Sequence, residues 1–233
     1  KTAYEIHERL VGSEMCIRDS GGFHVISEFS SKFDALSNGE LLPIGMQVRV
    51  AGSSTLMGNP IDVAYDSETD AVYVSEIGNG KVLGFTSIGS GGDVSPSFNK
   101  DLAMASSIYF SSDETDGNTG DSSDARVTRL YATSTANGDV SIYDGSGMLT
   151  KTVATGSDAT EGIYYDAFND AIIQASRSGL ALEFYGSFSA VTDLANIAAD
   201  FSGSAELASP REIAVFGNKV VVSSNSENKF YVY

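Results

Sequence analysis
The chemically capable side chains of this 233-residue chain are mostly carboxylates: 31 Asp and Glu stand against 14 Lys and Arg, for a formal net charge of −17. Six polar residues flank short apolar runs: Asp62, Glu76, Glu161, Arg177, Glu212 and Asn225. Brought together, Asp62, Glu76, Glu161, Glu212 and the amide oxygen of Asn225 would make an oxygen-rich site suited to Ca2+, which takes about six to eight oxygen ligands. A cation held there would polarise an ester or lactone carbonyl as a Lewis acid. Arg177 would pair with one of those carboxylates or grip an anionic group. The plainer reading makes all six ordinary loop-mouth residues, with carboxylates closing turns.

A further acidic stretch, Ser112 to Ala125, carries Asp113, Glu114, Asp116, Asn118, Asp121 and Asp124. Its DGNTGD segment echoes half of a calcium loop, but Gly120 stands where a third oxygen ligand belongs and no Glu closes it. A solvated loop is the better reading. The acidity argues against nucleic acid and anionic lipid as partners, because phosphate contacts need Lys and Arg. No apolar run approaches the roughly 20 residues needed to cross a bilayer as a helix. Neither a phosphate-cradling Gly loop nor a nucleophile elbow is present.

The elements that position these residues are short strands. In GNPIDVAYDSETDAVYVSEIGNGKVLGF, from Gly58, three apolar runs of four or five residues are separated by turn clusters. Ile61, Val63 and Tyr65 alternate with polar or small residues, the period of a pleated strand. Variants recur along the chain. First strands are expected at Ile61–Asp66, Ser107–Ser111, Gly162–Asp166 and Glu212–Phe216. Second strands are expected at Ala71–Ser75, Arg129–Thr133, Ala171–Ala175 and Lys219–Ser223. Third-strand runs begin at Phe23, Val82, Val140, Leu182 and Phe230, spacings of 42 to 59 residues. Such spacing suits the blades of a propeller with inserted loops. Fourth strands are expected at Met46–Ala51 and Met148–Ala154, and near Phe98–Ala103 and Ala198–Phe201. The turn Asn38-Gly-Glu-Leu-Leu-Pro43 repeats as Gly91-Gly-Asp-Val-Ser-Pro96, a Gly for positive φ and a Pro to fix the chain beyond it. If strands run up and down, the entries of first strands and exits of second strands share one face. That face carries the six candidate residues, and tyrosines such as Tyr131 and Tyr165 pack between blades.

Residues 1–20, KTAYEIHERLVGSEMCIRDS, lack this grammar and resemble translated sequencing-adapter read-through, carrying the VGSEMCIRDS tail. Setting them aside removes Cys16 and His7, the only cysteine and one of two histidines. With His24 alone, a histidine-ligated zinc or a Ser-His-Asp centre has no material. PIDVAYDSETDAVYVSEIGNGKVLGF and ASPREIAVFGNKVVVSSNSENKFYVY resemble the NHL and YVTN repeats of bacterial β-propellers, a likeness covering about residues 21 to 233. It implies an all-β propeller of four-stranded antiparallel blades. Third-strand runs open and close the pattern, at Phe23–Ile26 and Phe230–Tyr233, so about four blade equivalents are expected, as part of a six- to eight-bladed ring in preference to a closed four-bladed one. The likeness further implies an extracellular, periplasmic or cell-surface module that binds a protein, glycan or small ligand. The alternative it leaves open is a Ca2+-dependent lactonase-like hydrolase or lyase.

Overall fold
The computed structural model describes residues 14–19, 21–38, 40, 47–66, 68–114, 127–157, 159–203, 207–216 and 219–233. The chain divides into two compact units, Lys1–Leu102 and Ala103–Tyr233. In the first, β1 (Glu14–Asp19), β2 (Gly22–Ser27) and β3 (Val48–Ala51) form an antiparallel sheet in chain order. A six-residue helix, α1 (Phe29–Asp34), lies between β2 and β3. A second antiparallel sheet follows: β4 (Pro60–Asp66), β5 (Ala71–Glu76), β6 (Lys81–Thr86) and β7 (Phe98–Asp101). Residues 14–19, set apart by sequence, pair along their whole length with β2, so a strand precedes the Phe23 run.

Each apolar run of the Gly58 segment is one strand, and its alternation decides what is buried. Val63 lies opposite Val74, Tyr65 opposite Val72, and Val72 opposite Phe85, so these side chains share a face. Phe23, Val25 and Val50 of the first sheet join the same core, with the Phe23 and Phe85 rings 5.4 Å apart. Burial of each large apolar side chain contributes roughly 1.5–3 kcal/mol, so face-to-face packing is the main favourable term.

The second unit holds three antiparallel sheets. The first comprises β8 (Ala105–Glu114), β9 (Val127–Ser134), β10 (Val140–Asp144) and β11 (Leu149–Val153). Next come β12 (Thr160–Asp166), β13 (Ala171–Ser176), β14 (Ala181–Tyr185) and β15 (Phe201–Gly203). The third is β16 (Pro210–Phe216), β17 (Lys219–Ser224) and β18 (Lys229–Val232). Tyr131, Val140, Ile142, Val153, Ile163, Tyr165, Ile172, Tyr185 and Phe188 form a core shared by the first two of these sheets. Tyr131 of β9 stacks on Tyr165 of β12, with ring centroids 4.8 Å apart and planes inclined by 18°. Offset aromatic stacking of this kind adds about 0.5–1.5 kcal/mol to area burial.

The fourth strands are short, and a clip holds them. In the GGDVSP turn, Gly92 has φ 93°, donates from its N to Arg49 O at 2.8 Å and accepts from Ala51 N at 3.1 Å. Asp93 Oδ1 accepts from Ser54 N at 2.7 Å. The second unit repeats the device: Leu194 N donates to Thr152 O at 2.8 Å, and Asp193 Oδ1 accepts from Thr152 N at 2.8 Å. The connections before β7 and β15 thus grip the outer strand of the preceding sheet, β3 and β11. Most of the NGELLP turn and of the 112–125 insertion lies outside the described residues. The fourth strand expected near Ala198 begins instead at Phe201, after Asp200 has donated its N to Phe184 O at 2.9 Å.

Candidate functional site at the strand entries
Four first strands are irregular where they begin. The pairing register shifts between Pro60 and Asp62 in β4, Ala105 and Ile108 in β8, Thr160 and Gly162 in β12, and Pro210 and Ile213 in β16. A bulge releases a residue from strict alternation and re-aims its side chain. Pro60 and Pro210 lack the N–H that regular pairing would use. The residues released include Ile61, Ser106, Glu161 and Arg211.

The residues just past the second strands are tied back to this end. Ile77 N donates to Asn59 O at 3.2 Å, Thr135 N to Met104 O at 3.0 Å, Arg177 N to Ala159 O at 3.3 Å and Asn225 N to Ser209 O at 3.2 Å. Entries and exits therefore share one end of each sheet, as up-and-down strands require.

Glu161 is the centre of charge at this end of the second unit. Its side chain is 8% exposed, and Arg177 Nη1 lies 2.6 Å from its Oε1. Arg211 Nη1 pairs with Oε2. The two arginine side chains are 44% and 30% exposed, so the carboxylate is shielded while both arginines stay partly open to water. Gly162 makes the approach possible: a Cβ there would stand 2.3 Å from Arg211 O, so only glycine lets β16 pass β12 this closely. Sheet-to-sheet hydroxyl bonds reinforce the same end. Ser106 Oγ donates to Thr160 O at 2.7 Å, and Ile163 N donates to Ser107 Oγ at 3.2 Å.

Glu76 has a different role. It is fully buried, and its Oε1 accepts from Gly58 N at 3.2 Å, from Gly78 N at 3.0 Å and from Asn59 N, while Oε2 accepts from Asn79 N at 2.5 Å. Four backbone donors of two adjoining loops converge on one carboxylate, which closes both turns. Serines occupy the corresponding strand ends elsewhere: Ser134 Oγ donates to Ala103 O at 2.6 Å, and Ser224 Oγ donates to Ala208 O. Asp62 is buried, and its Oδ1 accepts from Val63 N at 2.7 Å. Glu212 is half-buried, with its N donating to Ser223 Oγ at 3.1 Å, and Asn225 is exposed.

Of the six sequence candidates, Glu161 and Arg177 are thus brought together, and Glu76 is occupied by backbone. Among the described residues, no group of three or more His, Cys, Asp or Glu is placed to hold a metal ion. Arg211 was missed. Its signal was position: it follows Pro210 at a strand entry, where Glu161 follows Thr160 one sheet earlier.

No protein-family model and no curated protein matches the chain. Solved structures do. The C-terminal WD40 domain of Sif2 matches with TM-score 0.56 at 10% identity, over 94% of this chain and 54% of that one. The chain has a β-propeller fold. The computationally designed Ika4 protein matches with TM-score 0.50 at 10% identity, over 80% of this chain and 95% of that one. The chain thus spans about half the length of the Sif2 chain it matches. At such identities the likeness speaks for the propeller fold alone, and its chemistry has to be argued from its own residues.

Proposed function
We propose that this propeller is a non-catalytic binding module of the NHL/YVTN type, working outside the cytoplasm, whose ligand docks where the first strands begin. One observation carries the reading. At the strand entries of the first unit Glu76 is occupied by four backbone N–H groups, and at those of the second unit Glu161 is occupied by two arginines. The two arginines that hold Glu161 stay partly exposed, and a guanidinium recognises ligands and is too weakly acidic to shuttle protons near neutral pH. The acidic composition favours a partner that is not a polyanion.

The test is a thermal-shift panel of neutral sugars, sugar acids and short peptides, run beside a lactone-hydrolysis assay with millimolar calcium. A ligand that binds the folded state raises the melting temperature by mass action. The expected result is at least one stabilising ligand and lactone hydrolysis at the buffer rate. Calcium-dependent hydrolysis abolished by Glu161→Gln would instead establish the hydrolase. The adapter origin proposed for residues 1–20 rests on their sequence, and a chain starting at Gly21 tests it. A foreign segment predicts an unchanged melting temperature, whereas a native β1 predicts a lower one.

A further inference from the structure
We infer that Arg177 and Arg211 form a site for a small carboxylate ligand, with Glu161 as the internal anion that holds the two guanidiniums in place. The inference rests on the binding-module reading and names the ligand class for it. Three features support it.

The first is unspent donor capacity. A guanidinium offers five N–H donors in a planar fork suited to two-point recognition of a carboxylate. Each arginine meets Glu161 through Nη1, on a different carboxylate oxygen, so the two share one acceptor group. Among the described residues, Arg211 Nε is buried with no hydrogen-bond partner.

The second is local charge. Two guanidiniums share one carboxylate, so the trio carries a net charge of +1 by count, in a chain whose formal net charge is −17. A single small anion gains from that local excess. A polyanion meets the field of the whole chain and is repelled.

The third is preorganisation. Arg211 starts on the irregular entry of β16, beside the close crossing at Gly162. Arg177 is fixed by its backbone bond to Ala159 O at 3.3 Å. Both side chains are held by a carboxylate that is 8% exposed, so little ordering remains to be done when a ligand arrives.

The experiment is calorimetric titration of the full chain at low ionic strength with two carboxylates, D-glucuronate and acetyl-triglycine. Their neutral counterparts, methyl glucoside and acetyl-triglycinamide, are the controls. Binding of a carboxylate and not of its neutral counterpart is expected, and the stronger of the two separates a sugar-acid source from a peptide one. Arg177→Ala is expected to weaken binding at least tenfold, and Arg177→Lys to recover only part, because the fork is lost while the charge stays. Glu161→Gln is expected to tighten binding severalfold, since the competing internal anion is gone. Melting curves accompany each variant; if Arg211→Ala does not fold, Arg177→Ala and Glu161→Gln carry the test. Equal affinity of acid and neutral ligand, or an Arg177→Ala protein that binds as before, overturns the inference. A neutral ligand bound at the same face would sink this inference alone, whereas calcium-dependent lactone hydrolysis would sink the binding-module reading beneath it.

Discussion

Replacing Glu76 separates a turn-closing carboxylate from a ligand-binding one. In Glu76→Ala, four backbone N–H groups, those of Gly58, Asn59, Gly78 and Asn79, lose their common acceptor at a fully buried position. Hydrogen bonds to a charged group are worth about 1.5–3 kcal/mol each, but four sharing one carboxylate do not add, and water will reach part of the space left behind. A loss of about 3–5 kcal/mol is expected, a large share of the roughly 5–15 kcal/mol that holds a typical domain folded. Glu76→Gln keeps one acceptor oxygen but aims an NH2 at one of the donors. The short bond from Asn79 N, 2.5 Å to Oε2, is the one most exposed to that change. The Gln variant should therefore lose about 1–3 kcal/mol, less than Ala. Urea unfolding followed by circular dichroism reads both, with the slope checked to confirm that the denatured state is unchanged. Glu76→Ala within about 0.5 kcal/mol of the parent would refute the reasoning, because that is the range of a surface substitution. Neither variant should alter binding of a carboxylate at Arg177 and Arg211.

Gly162→Ala places a methyl 2.3 Å from Arg211 O, a backbone atom that cannot swing aside, so a destabilisation of about 3 kcal/mol in a urea melt is expected. The Tyr185 phenol is pushed above its ordinary value of 10.0 by burial and by Glu183, and Tyr73 is raised by burial and by Asp66. Both then stay protonated when the unfolded chain ionises, so the unfolded state binds fewer protons and stability falls as pH rises past about 10, by at most about 1.4 kcal/mol per unit per tyrosine. Unfolding midpoints across pH 9 to 11 should show that fall, and Tyr185→Phe should shallow it. The Asp144 carboxyl is held below its ordinary 3.8 by the Ser146 hydroxyl and the Met148 N–H. Its contribution is present above that value and is lost as pH drops through the lowered one, so Asp144→Asn should flatten the acid limb of a pH–stability profile.

Sequence alone determined the strands of this protein, because alternation and turn chemistry are local. Val72 and Val74 had to be inner-strand residues whatever surrounded them, and the GGD turn had to adopt positive φ at its glycine. The expected first, second and third strands stand within two or three residues of those observed. What the turn is for needed the fold: the clip from Gly92 to Arg49 and from Leu194 to Thr152 joins segments some forty residues apart, and no local pattern encodes a partner at that distance. The same limit governed the candidate site. Glu76 and Glu161 look alike in sequence, each a carboxylate beside a strand end. Tertiary structure alone decided that one would be closed in by backbone donors and the other held between two arginines. The decision rests on irregular strand entries and on a glycine that lets neighbouring sheets approach, and both are properties of how strands cross rather than of the residues that form them.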